Sequence, residues 1–224
     1  MVTESNKYLI LVAGGIGKRM GADIPKQFLE INGIPLLVHT MKRFLEYDPL
    51  IDIILVLPDS ELEFWSSYCS KNPFTPTHKT ITGGKERFYS VKNGLASIKT
   101  PGIIAIHDGV RPLVSRNTIS RCFDKAEKSG NAIPVISPSE SIRQISKDSN
   151  SAIDRDSVKL VQTPQVFDAE ILREAYNCTY SRSFTDDATV VEKLGVKINL
   201  VEGNRENIKI TTPADLEIAR ALIK

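Results

Sequence analysis

Short runs of apolar or β-branched residues recur along the chain, at 8–12, 51–57, 79–82, 103–107, 132–136 and 197–201. Amphipathic stretches with helical spacing lie between them, at 35–47, 60–69, 86–98, 116–129 and 168–177. Near-continuous apolar runs suit strands covered on both faces, so the alternation predicts an α/β fold with a mainly parallel sheet between two helical layers. Ligands of such sheets sit beyond the carboxyl ends of the strands. Three polar or glycine-rich segments, 14–26, 83–87 and 108–111, occupy that position. A terminal helix is expected to start after Thr211 or Thr212, with Pro213 in its first turn and Asp215 nearby. Residues 137–159 break the rhythm. Their alternation is weak, around Ile142 and Ile145, and their centre, Asp148-Ser149-Asn150-Ser151, is turn-like, so they read as an extended hairpin or arm projecting from the sheet.

Composition narrows the picture. A chain of 224 residues is expected to form one domain (1–224) with a core that needs no staples. With 41% hydrophobic and 25% charged residues, the sequence is neither disordered nor fibrous. The 29 basic and 27 acidic residues are intermixed, giving a formal charge of +2, which argues against nucleic acid as partner while leaving room for a local anion site. Cys69, Cys122 and Cys178 are widely spaced and form no CxxC pair, so neither a disulfide framework nor a zinc site is suggested, and a reducing compartment is expected. The first residues, MVTESNKY, contain no apolar signal core, and no run approaches the roughly 18 apolar residues of a membrane span. The expectation is a cytoplasmic protein with no membrane partner.

Residues 9–28, LILVAGGIGKRMGADIPKQF, carry the densest chemistry. An apolar strand opens into Gly14, Gly15 and Gly17, with Lys18, Arg19 and Lys26 following. A dinucleotide fingerprint would need a third glycine where Met20 stands, and a Walker A loop would need Ser or Thr where Arg19 follows Lys18. Both spacings fail. What remains is a loop whose amides can face phosphate oxygens while the three cations supply charge. Arg19 offers a planar donor fork, and Lys26 a compact charge next to the restricted backbone of Pro25. Such a site suits phosphoryl or nucleotidyl transfer, where the protein contributes position and charge stabilisation. His107, at the end of an apolar run, reads as a packed, hydrogen-bonded residue. Asp186 and Asp187 fit a helix start at least as well as a cation site, and Trp65 is expected to pack a helix face.

The segments AGGIGKRM and PKQF resemble the signature loop of the sugar-nucleotide pyrophosphorylase superfamily. TGGKERFYSVKNGL, IHDGVRP, DRDSVKLVQTPQVF, FTDDAT and EGNRENIKIT follow in the order found in the 2-C-methyl-D-erythritol 4-phosphate cytidylyltransferase family. The resemblance covers nearly the whole chain and implies a Rossmann-like three-layer sandwich that transfers CMP from CTP to a polyol phosphate. It implies that Arg19, Lys26 and Lys209 are catalytic and that Ala13, Gly14, Gly15, Gly17 and Lys18 wrap the triphosphate. Gly84, Lys85 and Ser90 would lie near the base, with Lys85 standing where an acidic residue is usual. Asp108 would lie beside the triphosphate and a divalent cation, which for an oxygen-rich site would be magnesium. Gly109 and Val110 stand where many relatives have two alanines. Arg111, Ser141, Arg155, Thr185 and Lys209 would hold the acceptor, Ser141 and Arg155 reaching the partner subunit of a homodimer on the 137–159 arm. The resemblance leaves D-ribitol 5-phosphate as a rival acceptor and a non-catalytic nucleotide-binding regulator as a rival role.

Overall fold

Successive residues of a strand point to opposite faces of a sheet, and the central strands divide their side chains accordingly between two cores. The computed structural model of the chain describes residues 5–14 and 24–223. In β1 (Lys7–Val12), Leu9 and Leu11 enter one core and Tyr8, Ile10 and Val12 the other. In β4 (Asp52–Leu57), Ile53, Leu55 and Leu57 oppose Ile54 and Val56, and in β6 (Ile103–Asp108), Ile103 and Ala105 oppose Ile104 and Ile106. This two-sided burial makes the runs look continuously apolar in sequence.

The remaining elements, in chain order, complete the layers. A small ribbon, β2 (Glu30–Ile31) and β3 (Ile34–Pro35), leads into α1 (Leu36–Tyr47), and α2 (Leu62–Lys71) follows β4. Next come β5 (Lys79–Thr82), α3 (Arg87–Ala96), β6, α4 (Arg116–Ser129) and β7 (Asn131–Ile136). The hairpin β8 (Ile142–Ser146) and β9 (Ser149–Ile153) precedes β10 (Leu160–Val161) and β11 (Gln165–Asp168). The chain then runs through α5 (Ala169–Tyr176), α6 (Asp187–Glu192), β12 (Leu200–Glu202) and α7 (Pro213–Leu222).

The main sheet has the order β10-β7-β11-β6-β1-β4-β5, with β12 pairing β7. Strands β6, β1, β4 and β5 are parallel, and β11 runs antiparallel between β6 and β7. Helices α1, α2 and α4 cover one face through Met41, Phe44, Trp65 and Phe123, while α3, α5 and α6 cover the other through Phe88, Val91, Leu172 and Val191. The architecture is a Rossmann-like three-layer sandwich with a mixed, mostly parallel sheet. A third apolar cluster, including Ile31, Leu36, Val110, Ile210 and Leu216, ties the ribbon and α7 to the carboxyl end of β6.

Local signals set the helix ends. Ser115 caps α4 by accepting from the Thr118 N–H, and Gly130 closes the helix at φ 80°, the left-handed region glycine favours. Thr212 and Asp215 form a reciprocal capping box at α7, with Pro213 inside the first turn as expected. The arm is a two-stranded antiparallel hairpin joined to no other sheet among the described residues, with most of its positions exposed, Ile145 included. A single 3-10 turn at Arg155–Ser157 ends it.

Two expectations change. The strand expected at 197–201 lies at Leu200–Glu202, because parallel pairing with Ile133–Val135 sets its position. A strand absent from the expected runs, β11, opens at Gln165 and fills the gap between β6 and β7. Among the described residues, no helix is long and apolar enough to cross a membrane.

Candidate active site

The carboxyl ends of β1, β4, β5 and β6 converge on two small adjoining cavities. One, of about 90 Å³, is lined by Gly14, Lys26, Arg87, Asp108 and Lys209, among others. The other, of about 170 Å³, is lined by Gly14, Gly83, Gly84, Arg87 and Ser90, among others. Gly15, Gly17, Lys18 and Arg19 lie outside the described residues. The start and end of their segment are nonetheless fixed. Gln27, fully buried, donates through Nε2 to the Ala13 carbonyl at 2.9 Å and to Glu61 Oε2 at 2.5 Å. Lys26 begins a 3-10 turn, Lys26–Phe28, whose Phe28 stacks on Trp65 at 5.7 Å. Burial raises the Glu61 carboxyl above its ordinary pKa, against the lowering effect of the Gln27 bond.

Asp108 is the electrostatic centre of the first cavity. Its Oδ2 lies 3.0 Å from Lys209 Nζ and 3.2 Å from Arg111 Nε, and its Oδ1 lies 3.8 Å from Arg87 Nε. Burial pushes this carboxyl toward neutrality, but the charges of Lys209, Arg87 and Arg111 outweigh that push and hold its pKa well below the usual carboxylate range. The carboxylate is therefore ionised at any working pH.

The backbone explains how Lys209 arrives there. Arg111 Nη1 donates to the Asn207 carbonyl at 2.7 Å, and the Ile210 N–H donates to the Val110 carbonyl at 3.0 Å, so the residues on either side of Lys209 are sewn to the end of β6. Asn207, fully buried, donates to the Thr163 carbonyl at 2.8 Å. Thr163 in turn serves β6, its hydroxyl accepting from the Asp108 N–H at 3.2 Å and lying 2.9 Å from His107 Nδ1. His107 Nε2 lies 3.2 Å from the Arg111 carbonyl. These partners fit a neutral imidazole protonated at Nε2, with the Thr163 hydroxyl donating to Nδ1. Burial lowers the His107 pKa to about 3, more than its bond to the Arg111 carbonyl raises it. His107 is thus the packed residue the sequence suggests.

The second cavity is built on backbone. The Gly83 N–H donates to the Leu57 carbonyl at 2.7 Å and the Gly84 N–H to Ser90 Oγ at 3.1 Å. A β-carbon at Gly84 would collide with that of Tyr89, so glycine is needed for this close turn. Lys85 is exposed and lines this cavity. At Gly109 a β-carbon would fall 2.9 Å from that of Ala13 and 3.1 Å from Leu37 Cδ1, so in this chain Ala13 fills the space that an alanine at 109 would need.

The structure thus brings together Ala13, Gly14, Lys26, Gly84, Lys85, Ser90, Asp108, Arg111 and Lys209. Thr185 is exposed, one residue before the α6 cap Asp186. Ser141 and Arg155 lie on the exposed arm and share no hydrogen bond or ion pair with the Asp108 cluster among the described residues. Sequence reasoning missed Arg87, which grips Asp187 with both terminal nitrogens (2.8 and 2.6 Å) while approaching Asp108. The signal was present in the Gly-Gly-x-x-Arg spacing, but its partner lies 100 residues away.

No group of three or more His, Cys, Asp or Glu side chains gathers as a metal cage among the described residues. Asp108 alone suits magnesium in its commonest nucleotide mode, in which one or two carboxylates join phosphate oxygens and waters. Its Oδ1, carrying the long 3.8 Å approach of Arg87, is the oxygen less engaged by cations.

A glycine turn beside a backbone cradle, a cation-ringed aspartate and a lysine delivered from the C-terminal segment thus meet at one end of the sheet. The family described as IspD, 2-C-methyl-D-erythritol 4-phosphate cytidylyltransferase, has a model that matches residues 8–224. This chain belongs to that family. It is 49% identical over 215 residues to the 2-C-methyl-D-erythritol 4-phosphate cytidylyltransferase of Bacteroides thetaiotaomicron, covering 96% of this chain and 98% of that one. With the protein of the same name from Phocaeicola vulgatus it is 50% identical, covering 97% and 100%. Among solved structures, the Francisella tularensis 2-C-methyl-D-erythritol 4-phosphate cytidylyltransferase superposes with a TM-score of 0.80 at 32% identity, covering 98% and 100%. The bifunctional IspDF of Campylobacter jejuni superposes with a TM-score of 0.81 at 28% identity, covering 96% of this chain, which spans 54% of that longer one. The chain is an enzyme of this cytidylyltransferase family, and the reading as a non-catalytic regulator is set aside.

Proposed function

We propose that the enzyme transfers CMP from CTP to 2-C-methyl-D-erythritol 4-phosphate, giving 4-diphosphocytidyl-2-C-methyl-D-erythritol and pyrophosphate. A phosphate oxygen of the acceptor attacks the α-phosphorus in line. The new P–O bond forms as the bond to the β-phosphate bridging oxygen breaks, and pyrophosphate carries away the electron pair. The acceptor is already a dianion near neutral pH, so no general base is required, consistent with the neutral, fully engaged His107.

The observation that carries this reading is the Asp108 cluster, where Lys209 and Lys26 line the cavity that adjoins the Gly84–Ser90 cradle. Gly84 and Ser90 would read the base largely through backbone, with Lys85 in the wall of the same cavity. Ala13, Gly14, Gly15, Gly17 and Lys18 would wrap the triphosphate. Arg19, Lys26 and Lys209 would offset the charge growing on the pentacoordinate phosphorus, the kind of interaction worth about 10²-fold or more in turnover per cation. Asp108 would hold a magnesium ion, whose contribution when bound is to neutralise phosphate charge. Arg111 and Thr185 would hold the acceptor phosphate, together with Ser141 and Arg155 from the 137–159 arm of the partner subunit in a homodimer. The exposure of that hairpin and of Ile145 on it supports an arm that needs a partner surface.

The test is pyrophosphate release by purified enzyme with Mg²⁺ and CTP, comparing 2-C-methyl-D-erythritol 4-phosphate with D-ribitol 5-phosphate. Release only with the first supports the assignment, and preference for the second reassigns the acceptor pocket. Mixing Lys26→Ala with Arg155→Ala protomers tests the shared site. Each homodimer should be impaired, and the mixture should regain activity because one of its two sites is intact.

A further inference from the structure

Arg87 and Gly14 are the residues common to the walls of both cavities. Arg87 is also the first residue of α3, directly after the Gly83–Glu86 turn that forms the second cavity. Its guanidinium meets Asp187 in a parallel two-bond fork, Nη1 to Oδ1 at 2.8 Å and Nη2 to Oδ2 at 2.6 Å. Asp187 is fully buried and accepts a further bond from Tyr176 Oη at 2.6 Å. It opens α6, two residues beyond Thr185, and Gln165 secures that helix start through the Ala188 N–H (2.9 Å) and Asp186 Oδ2 (2.8 Å). The neighbouring Phe88 stacks on Tyr176 at 4.8 Å and on Phe184 at 5.8 Å, so an aromatic contact runs alongside the ion pair.

We propose that Arg87 is a positioning residue that locks the Gly83–Glu86 turn to the start of α6, so that a nucleotide seated on the turn orders the Thr185 segment for the acceptor. The role differs from contact with the base, which the proposed function gives to the Gly83–Ser90 turn. It follows from two features. A fork between a guanidinium and a buried carboxylate fixes angle as well as distance, which an ammonium cannot do. Both partners begin helices, one after the turn that lines the second cavity and one after Thr185, the residue assigned to the acceptor in the proposed function, so a shift of one helix start is transmitted to the other. The long approach of Nε to Asp108 extends the lock to the transfer centre. Coupling of this kind is reciprocal, and the acceptor should likewise steady the turn.

The proposal rests on the nucleotide reading above, and its test keeps the two separable. Amide hydrogen exchange is measured on the intact enzyme with and without the non-transferable α,β-methylene analogue of CTP plus Mg²⁺, which needs no acceptor. In the wild type the analogue should slow exchange at residues 83–90 and, by about fivefold or more, at 185–188. In Arg87→Lys and in Asp187→Asn, each shown folded by circular dichroism, protection should persist at 83–90 and vanish at 185–188. In turnover assays Arg87→Lys should then raise the acceptor KM more than the CTP KM. A purely structural role would change exchange in the ligand-free protein but leave the ligand-dependent change intact. Undiminished transmission in both variants, or no wild-type change at 185–188, would overturn the proposal. Failure of the analogue to bind removes the nucleotide reading and the proposal with it. Transmitted protection in an enzyme inactive toward methylerythritol phosphate would sink only the acceptor assignment.

Discussion

Lowering the pH from 7.5 to 4.5 should weaken the fold through His107. In the folded protein its pKa is about 3, against an ordinary 6.5 when unfolded. The unfolded chain therefore binds a proton over this window that the folded chain refuses. Stability from this group is complete above pH 6.5 and falls steadily toward pH 3. Two pH units below 6.5, at about 1.36 kcal/mol per unit, the loss by pH 4.5 is about 2.7 kcal/mol. The Asp108 carboxylate beside the ring, held well below the usual carboxylate range, stays ionised throughout this window. Urea unfolding can be followed by fluorescence of Trp65, the chain's one tryptophan and fully buried. At fixed protomer concentration the wild-type midpoint should drop by about 1 M more than that of His107→Gln between the two pH values, for an m-value of 2–3 kcal/mol/M. Each protein is compared with itself, so the variant's own baseline loss cancels. Equal pH sensitivity in the two proteins would refute a buried neutral imidazole.

Three further outcomes are expected. Lys209→Gln should lower kcat for pyrophosphate release by about 10²-fold, because it removes the cation 3.0 Å from Asp108 that faces the reacting phosphates in the proposed reaction. Gly109→Ala should cost about 1–3 kcal/mol in chemical unfolding, since the new carbon falls 2.9 Å from that of Ala13, and Ala13→Gly in the same chain should recover most of it. Asp168→Ala should lower stability by about 1 kcal/mol in the same assay by removing the α5 cap, whose Oδ1 accepts from the Glu170 and Ile171 N–H groups.

Much of the fold is legible because its signals are local. The strands 8–12 and 103–107 are apolar runs buried on both faces, and α4 is bounded by a serine cap and a left-handed glycine that both stand in the sequence. The arm shows as a turn between weakly alternating halves. Strand β11 escaped notice because four residues after Thr163-Pro164 carry no period, and their strand character comes from lying between β6 and β7. The same distinction divides the site. Gly14 comes just after β1 and Asp108 is the last residue of β6, so both can be found by position. Arg87 cannot, because its meaning comes from Asp187 across 100 residues. The Asp186-Asp187 pair fits a helix start, as the sequence suggests, yet its two members diverge. Asp186 caps α6, while Asp187 turns inward to the guanidinium, a division that only packing decides.

The bond from Gln27 to the Ala13 carbonyl ties together the two ends of the stretch between Gly14 and Lys26, through anchors that lie outside that stretch. Loop closure then grows only logarithmically with length, about 0.6 kcal/mol per doubling. A change of length between Gly14 and Lys26 should therefore be felt far more in turnover, through the placement of Arg19, than in the free energy of unfolding.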